Sequence, residues 1–197
     1  LDDRYFPGGK GLFAKFAALL SSKVDAVQFR SDGMTREGIY GPLRKMACLA
    51  KEKGIPFLLN DRPELALAVG ASGVHLGKGD MPLPAARELL GAQAIIGRTV
   101  REGDDPSIPV AEGADYLSIG PVFRTPVKPG LKEVSRKGLE RMQHSVRVPL
   151  VAIGGINAGN VRQVVEAGIS TVAFMRYAVT EKDTARKISE LRRAMEL

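Results

Sequence analysis

Tryptophan is absent from this chain and cysteine nearly so: the 197 residues hold one, Cys48, which excludes an internal disulfide. Cys48 lies among apolar neighbours in the helix expected over 34–53, where it reads as buried filler. No run of eighteen apolar residues occurs, and the first ten residues carry charges of both signs and two glycines. Neither a membrane-spanning helix nor a signal peptide is therefore expected, and a cytoplasmic location is. Aromatic residues make up 6% of the chain, too few to build the stacking platforms of a nucleic-acid groove. Acidic residues are the minority, 22 against 29 basic, giving a net charge of +7. The basic residues are interleaved with glutamates, as at Arg186, Lys187, Glu190, Arg192, Arg193 and Glu196. That distribution argues against nucleic-acid and membrane partners and for a small anionic ligand. A basic cluster at Arg124, Lys128, Lys132, Arg136 and Lys137 fits either a loop over a phosphate or a solvated surface.

What the chain has in quantity is short apolar runs. With 44% hydrophobic residues it can bury one sizeable core, so one domain over 1–197 is expected. Four segments read alike, each a helix end running into a strand: 22–29, 70–76, 113–119 and 168–174. Three of them place glycine at the helix stop, at Gly70, Gly113 and Gly168. A second unit type, 54–60 and 147–153, opens its strand on proline, where the missing N–H costs little. Strands are expected at 24–30, 57–60, 74–77, 94–99, 116–120, 150–154 and 171–175, with helices such as 82–90 and 158–167 between them. Units of roughly 25 residues predict a (β/α)₈ barrel, with an open doubly wound sheet as the alternative. The eighth strand belongs before Asp2, so strand one is expected to be truncated at the N-terminus of this sequence.

In a barrel, the polar residues at strand C-terminal ends meet at one mouth. Here they are Gln28 and Arg30, Asn60 and Asp61, His75 and Asp80, Thr99, Thr125 with Lys128, and Asn157. Asp61 and Asp80 suit one hard cation, although each also sits where it would cap a helix. Arg30 reads equally as an anion ligand or as a buried partner of a barrel carboxylate. His75 reads as a hydrogen-bonded core histidine and His144 as plain surface. The turn Gly154-Gly155-Ile156-Asn157 and the run 172–175 have the look of a phosphate grip, but glycines that merely shape a turn read the same way.

The blocks Val27-Gln28-Phe29-Arg30, Asn60-Asp61-Arg62, Gly73-Val74-His75-Leu76-Gly77 with Asp80, Gly120-Pro121-Val122-Phe123, Thr125-Pro126-Val127-Lys128 and Ile153-Gly154-Gly155-Ile156-Asn157 together resemble the thiamine-phosphate synthase family. The resemblance covers almost the whole chain in order. It implies a TIM barrel that joins a pyrimidine diphosphate, 4-amino-2-methyl-5-(diphosphooxymethyl)pyrimidine, to 4-methyl-5-(2-phosphooxyethyl)thiazole, with Mg²⁺ as cofactor and these small molecules as partners, while the sequence leaves open whether the chain forms a homo-oligomer. It implies Asp61 and Asp80 as metal ligands. Gln28, Arg30, Asn60 and Lys128 would meet the pyrimidine and its diphosphate, with Arg30, Asn60 and Lys128 in the catalytic role, and Thr99 would be a further substrate-binding residue. Thr125, Pro126, Val127, Gly154, Gly155, Met175 and Arg176 would form the thiazole-phosphate site.

The chain departs from the family pattern at four places, six residues in all. Asp32 stands where Gln-x-Arg-x-Lys has its lysine, Thr99-Val100-Arg101 replaces Ser-Thr-His, Lys78 replaces a glutamine and Arg176 a serine. Arg101 and Lys78 are candidates to return the positive charge lost at Asp32. These departures keep two alternatives open, a thiazole tautomerase-like paralogue and a binder of phosphorylated thiamine precursors that has lost catalysis. Pro121, where the tautomerase relatives carry histidine, favours the synthase.

Overall fold

The computed structural model describes residues 1–31, 36–126 and 130–196. Its centre is one sheet of seven parallel strands in chain order: β1 (Val27–Phe29), β2 (Phe57–Asn60), β3 (Gly73–Leu76), β4 (Ile95–Val100), β5 (Tyr116–Ile119), β6 (Leu150–Ile153) and β7 (Thr171–Ala173). Helix α1 (Leu12–Leu20) precedes β1, and α2 (Arg36–Glu52), α3 (Pro63–Val69), α4 (Leu83–Leu90), α5 (Ser107–Ala111), α6 (Arg136–Ser145) and α7 (Val161–Glu166) link successive strands. Two more, α8 (Arg176–Val179) and α9 (Thr184–Met195), follow β7. Parallel neighbours joined by helical crossovers in strict sequence order make this the (β/α)₈ barrel fold and not the doubly wound alternative, whose strand order would reverse.

All seven expected strands are present: β2 has the expected bounds, β3 and β4 are shifted by one residue, β1 is shorter at both ends, and β5, β6 and β7 end early. The ladder continues before β1: Arg30 N donates to the Leu1 carbonyl at 2.9 Å, Asp3 N donates to the Arg30 carbonyl at 3.1 Å, and Asp2 forms a parallel bridge with Arg30. Residues 1–3 thus run beside β1, where the sequence places the C-terminal end of a further strand.

Register assigns the two faces of the sheet, because paired residues in a ladder point to the same side. Val27, Phe29, Phe57, Leu59, Val74, Leu76, Ile96, Leu117, Ile119, Leu150 and Ala152 face the helices, and each is at most 4% exposed. Phe16 of α1 meets Phe57 edge to face at 5.2 Å between ring centroids. The opposite face carries Gln28, Asn60, His75, Thr99 and Ser118. The helix-facing side is apolar except for Arg98, and the interior side mixes these polar residues with Leu58, Ile95 and Val151.

Helix α2 corrects the reading of Cys48. Ile39, Leu43, Met46 and Ala50 are buried at helical spacing. Two residues past Met46 a helix has turned by about 200°, so Cys48 lies on the solvent face and is exposed. The apolar neighbours in sequence are neighbours along the chain and not around the helix.

Candidate active site

Asp61 and Asp80 face each other at the C-terminal end of β2 and β3. Asp61 is the one non-glycine among the described residues with positive φ, at 62°, and its N–H donates to the His75 carbonyl at 2.9 Å. Left-handed backbone is unusual outside glycine, and a non-glycine residue held there at a strand end marks a position fixed by its surroundings. The bend brings its carboxyl close enough to Asp80 to feel that carboxylate's charge. Neither acid caps a helix. Arg62 is the N-cap of α3 and Pro82 that of α4, both without a side-chain cap bond, while Asp80 accepts from Gly77 N at 2.6 Å.

Burial, then the hydrogen bond and charge of Asp80, push the Asp61 carboxyl up to about 6, against the pull of Arg30 and the Asn60 amide. Two half-buried carboxylates in contact repel unless a proton or a cation lies between them. Among the described residues no group of three or more His, Cys, Asp or Glu side chains could hold a metal ion. A two-carboxylate set fits Mg²⁺, which keeps several waters and takes further oxygens from substrate phosphates.

Gln28 Nε2 donates to Asn60 Oδ1, and Asn60 Nδ2 reaches Asp61 Oδ1 at 3.4 Å, so a line of amides leads from β1 to the acid pair. Arg30 is half-buried at the end of β1, close enough to act on both Asp2 and Asp61. His75 is 6% exposed; its Nδ1 lies 2.9 Å from the Tyr116 hydroxyl and its Nε2 2.9 Å from Thr99 Oγ1. The histidine is thus a hydrogen-bonded core residue, as its strand context suggests, and His144 is exposed on α6.

The glycine turn after β6 has both a structural and a binding face. Gly154 and Gly155 have φ of 107° and 65°, and a Cβ on Gly155 would lie 2.7 Å from the Arg124 carbonyl oxygen and 2.8 Å from Phe123. Phe123 N donates to Gly154 O at 3.0 Å, so the loop after β5 lies along this turn and brings half-buried Thr125 and exposed Pro126 towards it. The amides of Asn157 and Asn160 both donate to Gly155 O, at 3.3 and 3.0 Å. Asn157 therefore shapes the turn; its Oδ1 is also taken, by Gly159 N at 2.8 Å. Gly155 N–H has no acceptor among the described residues. Ile153 pairs with Ala173, which sets Met175 and exposed Arg176 at the exit of the adjoining strand.

Several cations named from sequence are engaged elsewhere. Lys78 Nζ binds Asp104 Oδ1 at 2.7 Å, and Arg101 Nη1 donates to the Gly120 carbonyl at 2.9 Å. Arg136 pairs with Glu140 at 3.0 Å and Glu166 at 3.5 Å on the outer helices, so it leaves the basic loop cluster. Asp32, Val127 and Lys128 lie outside the described residues. Three residues that sequence reasoning passed over belong to the interior: Tyr116, Ser118 and Gly97. A Cβ at Gly97 would fall 2.0 Å from the Tyr116 ring, so this glycine lets the ring cross β4 to reach His75. The signal was a glycine inside a strand, the usual mark of close approach.

The family model described as thiamine monophosphate synthase matches residues 3–178. A thiamine-phosphate synthase of Shouchella clausii is 35% identical over 192 residues, 97% of this chain and 92% of that one. A thiamine-phosphate synthase of Syntrophomonas wolfei is 34% identical over 98% of this chain and 93% of its own length. Among solved structures, a thiamine phosphate pyrophosphorylase from Pyrococcus furiosus superposes with a TM-score of 0.87 at 32% identity, covering 99% of this chain and 93% of that one.

Proposed function

The chain belongs to the thiamine monophosphate synthase family, and from that premise we propose that it is a transferase condensing 4-amino-2-methyl-5-(diphosphooxymethyl)pyrimidine with 4-methyl-5-(2-phosphooxyethyl)thiazole to give thiamine phosphate and pyrophosphate. The observation that carries the reading to this chain's own residues is the Asp61–Asp80 pair, turned inward by left-handed backbone at the end of the barrel that also holds the Gly154–Gly155 turn. The reaction is dependent on Mg²⁺ in this reading. Bound between the two acids, Mg²⁺ would neutralise charge on the departing pyrophosphate.

The other roles follow from donor chemistry. Arg30, beside the acid pair, supplies a fixed cation for the diphosphate, and Lys128 adds a second. Gln28, Asn60 and Thr99 offer amides and a hydroxyl to the flat aminopyrimidine. Asn60 also orients Asp61. Gly154, Gly155, Thr125, Pro126, Val127, Met175 and Arg176 receive the thiazole phosphate, with backbone N–H groups and the Arg176 side chain as donors. The methylene–oxygen bond to pyrophosphate breaks and the thiazole nitrogen supplies the electron pair for the new carbon–nitrogen bond. The attacking nitrogen bears no proton, so the step needs no general base. Orientation and charge stabilisation then carry the rate.

No helix among the described residues is long and apolar enough to cross a membrane. The reading is of a cytoplasmic enzyme of small-molecule metabolism. The test is formation of thiamine phosphate from the two substrates, with and without Mg²⁺, read as thiochrome fluorescence. Metal-dependent product is the expected result. Binding of thiazole phosphate without any product would instead support a non-synthase paralogue.

A further inference from the structure

The loop that leaves β5 is tied at both ends to two consecutive residues past β4. At its entry, Arg101 Nη1 donates to the Gly120 carbonyl at 2.9 Å. At its exit, Glu102 takes both donors of Ser135: the hydroxyl donates to Oε1 at 2.6 Å and the backbone N–H to Oε2 at 2.9 Å. Between these ties Val134 N donates to the Pro121 carbonyl at 2.9 Å, which closes residues 121–134 into a loop with adjoining ends. The outgoing limb has further support, since Val122 N and Phe123 N donate to the Ile153 and Gly154 carbonyls at 2.9 and 3.0 Å. On the returning limb the ties are Val134 and Ser135.

Glu102 is exposed yet fixed in place. Its carboxyl lies over buried Gly138 of α6, where a Cβ would come within 2.5 Å of Oε1. The two bonds from Ser135 hold the carboxyl below the usual carboxylate range, with smaller help from Arg141 and Lys132, so it is ionised at neutral pH. Ser135 Oγ also caps α6 by accepting from Gly138 N at 3.0 Å, so one hydroxyl joins limb, helix and Glu102. We infer that Glu102 is a positioning residue for the thiazole phosphate: through Ser135 it fixes the loop that carries Thr125 and Pro126 against the end of β4, the strand that carries Thr99. The identity of that ligand rests on the proposed function. The consequence is a fixed register between the two halves of the site. A substrate held by the loop is thereby aligned with one held at the neighbouring strand end, as a direct displacement between two bound molecules requires.

Electrostatics alone gives the opposite sign. Both substrates are anions, so deleting an acid from the rim of their site would tighten binding if charge were all that Glu102 supplied. Positioning predicts weaker binding. The test is calorimetric binding of the thiazole phosphate to wild type, Glu102→Ala, Glu102→Gln, Gly138→Ala and Glu133→Ala, the last removing an exposed acid from the same limb. The dissociation constant should rise about fivefold in Glu102→Ala, the worth of about one hydrogen bond. It should stay within about twofold of wild type in Glu133→Ala and in Glu102→Gln, whose amide oxygen still accepts from Ser135. Gly138→Ala adds a methyl group that displaces the Glu102 carboxyl, in a helix that alanine otherwise favours. It should weaken binding as Glu102→Ala does, with the melting temperature maintained. Unchanged or tighter binding in Glu102→Ala would overturn the inference, and so would equal weakening in Glu102→Gln. Hydrogen exchange of the Ser135 amide, read without substrate, should quicken in Glu102→Ala and Gly138→Ala; an unchanged rate would overturn the tie itself. If wild type failed to bind the thiazole phosphate, the proposed function would fall and this inference with it, whereas binding indifferent to Glu102 would remove this inference alone.

Discussion

The carboxyl groups of Asp61 and Asp80 sit close enough for the charge of one to act on the other, although each belongs to a different βα loop. Their contact is enforced by backbone. The left-handed φ of Asp61 and the bond from its N–H to His75 O turn the side chain inward, and the Gly77 N–H holds Asp80 in place. We propose this pair as the seat of Mg²⁺.

The pair should therefore oppose stability when no metal is bound. Asp61 has its folded pKa raised from 3.8 to about 6. The sign follows: relative to the unfolded chain the folded state favours the proton, so the contribution is fully present below about pH 4 and is lost as pH rises through about 6. Metal-free protein should lose about 1 kcal/mol over that window, discounted because the pair is half exposed to solvent. Asp80→Asn should flatten the slope and stabilise metal-free protein at pH 7, as read by urea unfolding, while lowering turnover by at least about a hundredfold. A variant with the same pH slope as wild type would remove the repulsion from the account.

Gly155→Ala places a methyl group against Arg124 O and Phe123 and forces φ of 65° on alanine. Strain and clash together should cost about 2 kcal/mol of stability. The kinetic signature should be selective, with KM for the thiazole phosphate rising several times more than KM for the pyrimidine diphosphate. Equal changes in both would mean that the turn serves the fold alone.

Lys78 is bound to Asp104 on the exposed rim. Lys78→Ala should leave turnover within about twofold and stability within about 1 kcal/mol, as for other surface ion pairs. A large loss of turnover would show that Lys78 leaves Asp104 to meet the diphosphate after all, returning the charge missing at Asp32.

Cys48 should react with an aromatic disulfide reagent in the native protein nearly as fast as in urea, since it is exposed. Cys48→Ser should change stability by less than about 0.5 kcal/mol, whereas Met46→Ala, two residues away and fully buried, should cost about 2 to 5 kcal/mol. Slow native labelling would reverse this assignment of the α2 faces.

The strands and their order were legible because short apolar runs alternate with helical patterns at a steady period, and because Gly70, Gly113 and Gly168 stop helices where the structure also gives them positive φ. Asp61 and Asp80 were legible as a pair from their place at strand ends, but their release from capping was not. That depends on the φ of Asp61 and the Gly77 contact, which no local sequence rule supplies. Asn157 was legible as a polar residue in the turn after β6, but the service of its amide to the Gly155 carbonyl was not, because that contact depends on the folded turn. The roles of Tyr116 and Gly97 were hidden because the pairing of β3, β4 and β5 brings together residues 19 and more positions apart. Cys48 was misread because apolar composition was weighed without helical phase.

The most direct measurement is the Mg²⁺ dependence of thiamine phosphate formation in wild type, Asp61→Asn and Asp80→Asn. The acid pair as metal seat predicts saturable activation of wild type, and in each variant a half-saturating Mg²⁺ concentration at least about tenfold higher with a lower maximal rate. Variants that reach the wild-type rate at the wild-type Mg²⁺ concentration would contradict it and move the metal away from Asp61 and Asp80.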